Sequence, residues 1–129
     1  MPFYWTSWVS LAALLLYFWT VALVGRARGK YQVKAPSVDG PDAFRRTLRV
    51  QLNTLEQLAL FLPALWLCAL WQNDHAAAAA GVVWVAGRIW YALAYLQDVA
   101  KRSSGFLLAS AALFVLLAGL VAGLFGWVI

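Results

Sequence analysis

Arg49, Asn53 and Glu56 recur at i, i+4 and i+7, which on an α-helix puts all three side chains within a sector of roughly 60°. Leu52, Leu55, Leu58 and Leu60 surround that sector. Each polar group is costly if the helix enters a bilayer, up to about 2.5–3.5 kcal/mol for an ionised side chain at the centre and less near the ends. Polar groups kept in such a place, and kept together, point to a site. The chemistry on offer is a guanidinium fork for carboxylates, a carboxylate for an ammonium and an amide for peptide groups. A second stripe lies downstream. Arg88, Tyr91, Tyr95, Asp98 and Arg102 follow at +3, +7, +10 and +14, within a sector of roughly 80° if one helix carries them all.

The elements that must hold these stripes follow from composition. The chain has 129 residues, of which 64% are hydrophobic and only 12% charged. That excess of apolar residues does not suit a soluble domain with one buried core, and it predicts an all-α membrane protein, a single four-transmembrane-helix bundle. The spans are expected at about residues 3–24, 43–71, 76–99 and 104–128. Tyr4, Trp5 and Trp8 suit an interfacial aromatic belt at the start of the first span. The first span lacks a basic n-region and a cleavage site, so it reads as a retained helix rather than a signal peptide.

Between the first two spans lies the longest stretch poor in apolar residues, punctuated by Gly25, Gly29, Pro36, Gly40 and Pro41, which reads as a loop over residues 25–42. Asp42 is the expected N-cap of the second helix, and Asp74 of the third. Gly119 and Gly123 form a small-xxx-small surface for close packing of the fourth helix.

A net charge of +5 raises the question of nucleic acid, but the distribution of the basic residues argues for topology instead. Arg26, Arg28, Lys30, Lys34, Arg45, Arg46 and Arg49 precede or open the second span, Lys101 and Arg102 follow the third, and only Arg88 lies elsewhere. The positive-inside rule makes loops 25–42 and 100–104 cytoplasmic and both termini non-cytoplasmic. The cytoplasmic ends of the second and third helices then coincide, bringing Arg49, Asn53 and Glu56 towards Tyr91, Tyr95 and Arg102. One cysteine, Cys68, allows no intrachain disulfide, and one histidine, His75, leaves no metal cluster and no Ser-His-Asp set. The expected cleft has polar groups at its floor and walls open to lipid, which suits a small zwitterionic peptide bound beside a lipophilic co-substrate.

The sequence resembles a known family at these positions. Arg49-x-Gln51-x-Asn53-x-x-Glu56, then Phe61-Leu62, then Arg88-x-x-Tyr91-x-x-x-Tyr95 is similar to the membrane-associated proteins in eicosanoid and glutathione metabolism (MAPEG), over about residues 26–102. The resemblance implies a homotrimer with glutathione, or a similar thiol, as co-substrate in clefts between subunits. It implies Arg49, Asn53, Glu56, Tyr91 and Tyr95 as glutathione ligands on one subunit, Arg28 and Gln51 as ligands from its neighbour, and Arg102 as the catalytic residue that stabilises the thiolate. The activity implied is a glutathione transferase or peroxidase acting on a lipophilic electrophile or hydroperoxide, without a metal. The family also implies an alternative, a non-catalytic lipid-binding or scaffold protein of the same fold.

Overall fold

A computed structural model describes residues 2–129. Its elements are α1 (Tyr4–Tyr31), α2 (Asp42–Trp71), α3 (Asp74–Gln97), a single 3₁₀ turn (Val99–Lys101) and α4 (Ser103–Leu124). All four helices are long and apolar enough to cross a membrane. Each of α2 and α3 packs against the other three helices, whereas α1 and α4 lie on either side of that central pair. One continuous core joins them, with Leu16 from α1, Phe61 and Leu65 from α2, Trp84 from α3 and Leu116 from α4. Phe61 and Trp84 stack there with ring centroids 3.8 Å apart. The remaining surface is rich in exposed Leu, Val, Phe and Trp, as expected where the solvent is lipid or another subunit.

Helix ends depart from the sequence expectation where tertiary contacts outweigh local signals. α1 does not stop at the glycines but runs through Gly25 and Gly29 to Tyr31, carrying Arg26, Arg28 and Lys30 on its last turns. A glycine inside a helix costs only about 1 kcal/mol relative to alanine. Here Val24, Ala27 and Val33 pack around the fully buried Phe44, and Arg28 lies over the Phe44 ring at 5.3 Å. The interhelix link is therefore shorter than residues 25–42.

The expected caps change partners. Asp42 makes no capping bond and instead pairs with Arg45 at 3.3 Å. Asn73, not Asp74, caps α3, accepting from the Ala76 N–H at 2.7 Å. Asp74 reaches across the bundle to α1, where its two carboxylate oxygens accept from the Trp5 N–H at 3.0 Å and the Thr6 N–H at 2.8 Å. An anion at a helix amino terminus satisfies orphan donors and the dipole together. At the same end of the bundle, α4 stops at Leu124, short of residue 128. Buried Gln72 donates to the Gly119 and Trp127 carbonyls and accepts from the Ile129 N–H.

Close approach between helices depends on glycine. The Gly119–Gly123 surface packs on α2, where Cβ atoms added at these positions would lie 3.0 Å from Cys68 Sγ and 2.6 Å from the Trp71 carbonyl oxygen. Nearer the polar stripes, a Cβ at Gly105 would collide with the Tyr91 backbone nitrogen and lie 2.7 Å from the Gly87 carbonyl oxygen. Backbone atoms inside a helix cannot step aside. Gly105→Ala is therefore expected to cost about 1–3 kcal/mol by forcing α4 off α3, read as a lower unfolding midpoint in detergent, whereas Gly29→Ala, which meets nothing within 4 Å, is expected to leave the midpoint unchanged or raise it slightly.

Candidate functional site

Arg49 and Asn53 sit on the first turns of α2, Tyr91 and Tyr95 on the last turns of α3, and the chain must reverse direction before α4 can begin. α3 ends at Gln97 instead of continuing through Arg102, so the long stripe predicted from Arg88 to Arg102 is broken. Asp98 is the reason. Its carboxylate accepts from the Ala100 N–H at 3.0 Å and starts the 3₁₀ turn, a local competition typical of aspartate. Asp98 thus serves the turn and does not enter the site. The turn nevertheless delivers Arg102 to the same place by another route, with its Nη1 donating to the Val99 carbonyl at 2.8 Å.

The result is a cleft of ≈ 490 Å³ lined by Arg49, Asn53, Tyr91, Tyr95, Val99, Arg102, Ser103, Phe106 and Leu107. That volume is within the range of small-molecule sites. Its floor is Tyr91, which is buried, with Tyr95 at 5.5 Å and Phe106 at 6.2 Å between ring centroids. Asn53 contributes a buried Oδ1 that has no hydrogen-bond partner among the described residues, an acceptor held ready for a donor. Arg49 and Arg102 are exposed at the rim, and neither forms an ion pair among the described residues. Two guanidinium groups without a carboxylate partner, an amide oxygen without a hydrogen bond and two phenols face one space whose remaining walls, Val99, Phe106 and Leu107, are apolar. Such a cleft can hold a carboxylate-bearing polar ligand and, beside it, a hydrocarbon.

Three expected ligands lie outside this cleft. Glu56 is exposed one turn further along α2. Gln51 turns towards α1, with its Nε2 at 3.4 Å from the Tyr17 hydroxyl. Arg28 donates from Nη1 to the Val33 carbonyl at 3.3 Å and the Ser37 carbonyl at 2.8 Å. Arg88, from the second stripe, is buried behind Tyr91 and does not line the cleft. In the other direction, the sequence reading overlooked α4, treating it as packing surface only. Ser103, Phe106 and Leu107 are a contiguous i, i+3, i+4 face immediately after Arg102, and that adjacency was the available signal.

Cys68 is buried in the core and His75 is exposed at the opposite end of the bundle, and neither is near the cleft. No group of three or more metal-ligating side chains occurs among the described residues.

Comparison with known proteins covers nearly the whole chain. A sequence model of the MAPEG family matches residues 6–122. An uncharacterized protein of Synechocystis sp. is 48% identical over 115 residues, covering 89% of this chain and 84% of the relative. The bovine microsomal glutathione S-transferase 2 is 37% identical over 93 residues, covering 72% of this chain and 64% of that protein. The guinea pig (Cavia porcellus) leukotriene C4 synthase is 34% identical over 116 residues, covering 90% of this chain and 77% of that protein.

Proposed function

The chain belongs to the MAPEG family, and from that premise we propose that it is a glutathione-dependent transferase or peroxidase that acts on a lipophilic electrophile or hydroperoxide. It is an integral membrane protein built as a four-helix bundle. The observation that carries the proposal is the cleft itself, in which Arg49, Asn53, Tyr91, Tyr95 and Arg102 converge from three elements beside the apolar Phe106 and Leu107.

Arg49 takes a glutathione carboxylate, since a guanidinium presents a fixed fork of donors. Asn53 Oδ1 accepts a peptide N–H, and the tyrosine phenols donate along the inner wall. Arg102 faces the thiol and favours its ionised form, the nucleophile in either reaction. In the transferase reaction the sulfur bonds to the electrophilic carbon, and the electron pair of the broken bond leaves with the displaced group or on the opened oxygen. In the peroxidase reaction two glutathione molecules become the disulfide while the hydroperoxide becomes an alcohol and water.

The site is completed by a second copy of the chain in a homotrimer. Supporting this, Arg28 and Gln51 lie away from the cleft of their own chain, where a neighbour's cleft can meet them, and Glu56, exposed one turn further along α2 than Asn53, receives the glutathione ammonium where two subunits meet. Both termini are non-cytoplasmic, and the cleft opens towards the cytoplasm on the side of the basic end of α1 and the 32–41 link. Cysteines placed at Ser37 and Asn73 are expected to label from the cytoplasmic and the opposite side respectively, and labelling from one common side excludes four spans. The buried Cys68 gives little background.

Calorimetry of glutathione binding to the purified protein, followed by turnover with 1-chloro-2,4-dinitrobenzene and cumene hydroperoxide, tests the proposal. Saturable binding with turnover of either substrate is the expected result. Absence of binding removes it. Binding without turnover would establish the second reading, a non-catalytic lipid-binding protein, which one observation favours: the Arg102 guanidinium already has a bond to the Val99 carbonyl.

A further inference from the structure

Arg88 is the side chain that a stability account explains least. It is only 1% exposed, in the middle of a helix that spans a membrane, and it has no carboxylate partner among the described residues, where the single ion pair is Asp42–Arg45. Its Nη2 donates to Thr54 Oγ1 at 3.0 Å, and that hydroxyl donates onward to the Val50 carbonyl at 2.7 Å. Its Nε and Nη1 have no hydrogen-bond partner among the described residues. An arginine held this way loses solvation at both unpaired nitrogens, and replacing such a buried charge with an apolar side chain of similar volume is often neutral or stabilising. Polar groups kept in a span at such cost mark function by default.

The guanidinium carbon lies 4.2 Å from the centroid of the Tyr91 ring. Arg88 and Tyr91 are i, i+3 neighbours on one face of α3, so the cation sits behind the ring that forms the cleft floor. The other sides of Tyr91 are equally constrained: Gly105 of α4 meets its backbone nitrogen, and Tyr95 and Phe106 flank its ring. With Thr54 anchoring the guanidinium to α2, Arg88 bridges α2 to the one tyrosine on which α3 and α4 also converge.

We infer that Arg88 is a positioning residue for Tyr91, holding the ring face by cation–π contact so that the phenol stays directed into the cleft. The inference rests on the thiol-binding reading for what the phenol serves, but not for the contact itself. Removing the cation releases the ring, which is then free to drop towards the apolar core, and ligand affinity falls without any loss of fold.

The test uses protein labelled with 3-fluorotyrosine, followed by fluorine NMR in lipid nanodiscs, with the Tyr91 resonance assigned from Tyr91→Phe. In Arg88→Met the Tyr91 resonance is expected to shift and broaden while those of Tyr4, Tyr17 and Tyr31 stay in place, with an unfolding midpoint equal to or above that of wild type. Glutathione affinity is expected to fall roughly 5- to 30-fold. Arg88→Lys, which keeps the charge but not the planar stack, gives an intermediate loss. Thr54→Val removes the guanidinium's one hydrogen bond without touching the charge, and serves as the deciding variant if Arg88→Met does not fold. An unchanged Tyr91 resonance overturns the inference, as does a shift of all five tyrosines with a lowered midpoint. Wild type that binds no glutathione would remove the thiol reading, while the fluorine spectra still decide the role of Arg88.

Discussion

Arg49→Ala is expected to weaken glutathione binding by roughly 10- to 150-fold, because a hydrogen bond to a charged group is worth about 1.5–3 kcal/mol. Arg49 has no ion pair or hydrogen bond to another side chain among the described residues, so its removal leaves no other group of the chain unpaired and the loss reports on the ligand. Arg49→Lys keeps the charge but not the fork, and should recover only part of the affinity. Because Arg49 stands exposed at the rim, the wild-type affinity should also fall with added salt, and this salt dependence should shrink in the variant. Glu56→Gln supplies the complementary control. Its effect should vanish for a glutathione analogue without the α-amino group, whereas the effect of Arg49→Ala should persist. Calorimetry on the four proteins checks the set, and wild-type affinity in Arg49→Ala would place the ligand elsewhere.

Arg102→Ala is expected to lower turnover by roughly 10- to 100-fold near neutral pH, with glutathione affinity changing much less. An unperturbed thiol, with pKa near 8.5, is only about 3% thiolate at pH 7. A shift of two units down makes most of it thiolate and requires about 2.7 kcal/mol of preference for the anion. An exposed guanidinium is too well screened for an effect of that size. Arg102 is exposed in the single chain, so the full effect requires cover by bilayer or by a neighbouring subunit, and it should diminish under conditions that dissociate the assembly. The sign with pH is definite. The lowered thiol pKa gives wild type its advantage below the pKa of the unassisted thiol, and as pH rises through that value both proteins approach full thiolate and the deficit closes. Ultraviolet titration of the bound thiol in wild type and Arg102→Ala checks this directly, and identical curves would remove Arg102 from the mechanism and favour the non-catalytic reading.

By itself, the sequence determined everything that depends on covalent periodicity and solvent preference. Apolar runs of spanning length specify four helices, and the 100° rotation per residue puts Arg49 with Asn53, and Tyr91 with Tyr95, on common faces. Both relations are local, so no partner element was needed to read them. Which faces meet was settled by packing. The close contact of Gly87 and Gly105 brings the start of α4 against Tyr91, adding Ser103, Phe106 and Leu107 to the cleft. That same packing leaves Glu56 outside the cleft although it shares the sector of Asn53, since a sector of one helix is wider than the line along which its neighbour touches it. Capping was decided the same way. Asp74 is the first residue of α3 but serves α1, whereas Asp98 ends α3 through an N–H only two residues on, before the stripe can reach Arg102. A carboxylate takes whichever unpaired N–H groups lie within about 3 Å, and for Asp74 that proximity exists only once the helices have docked. Arg88 shows the difference most plainly. Its spacing from Tyr91 and Tyr95 was legible as a stripe, but whether that stripe faced a cleft, lipid or the core depended on the rotation of α3 about its axis, which the contacts with α2 and α4 decide.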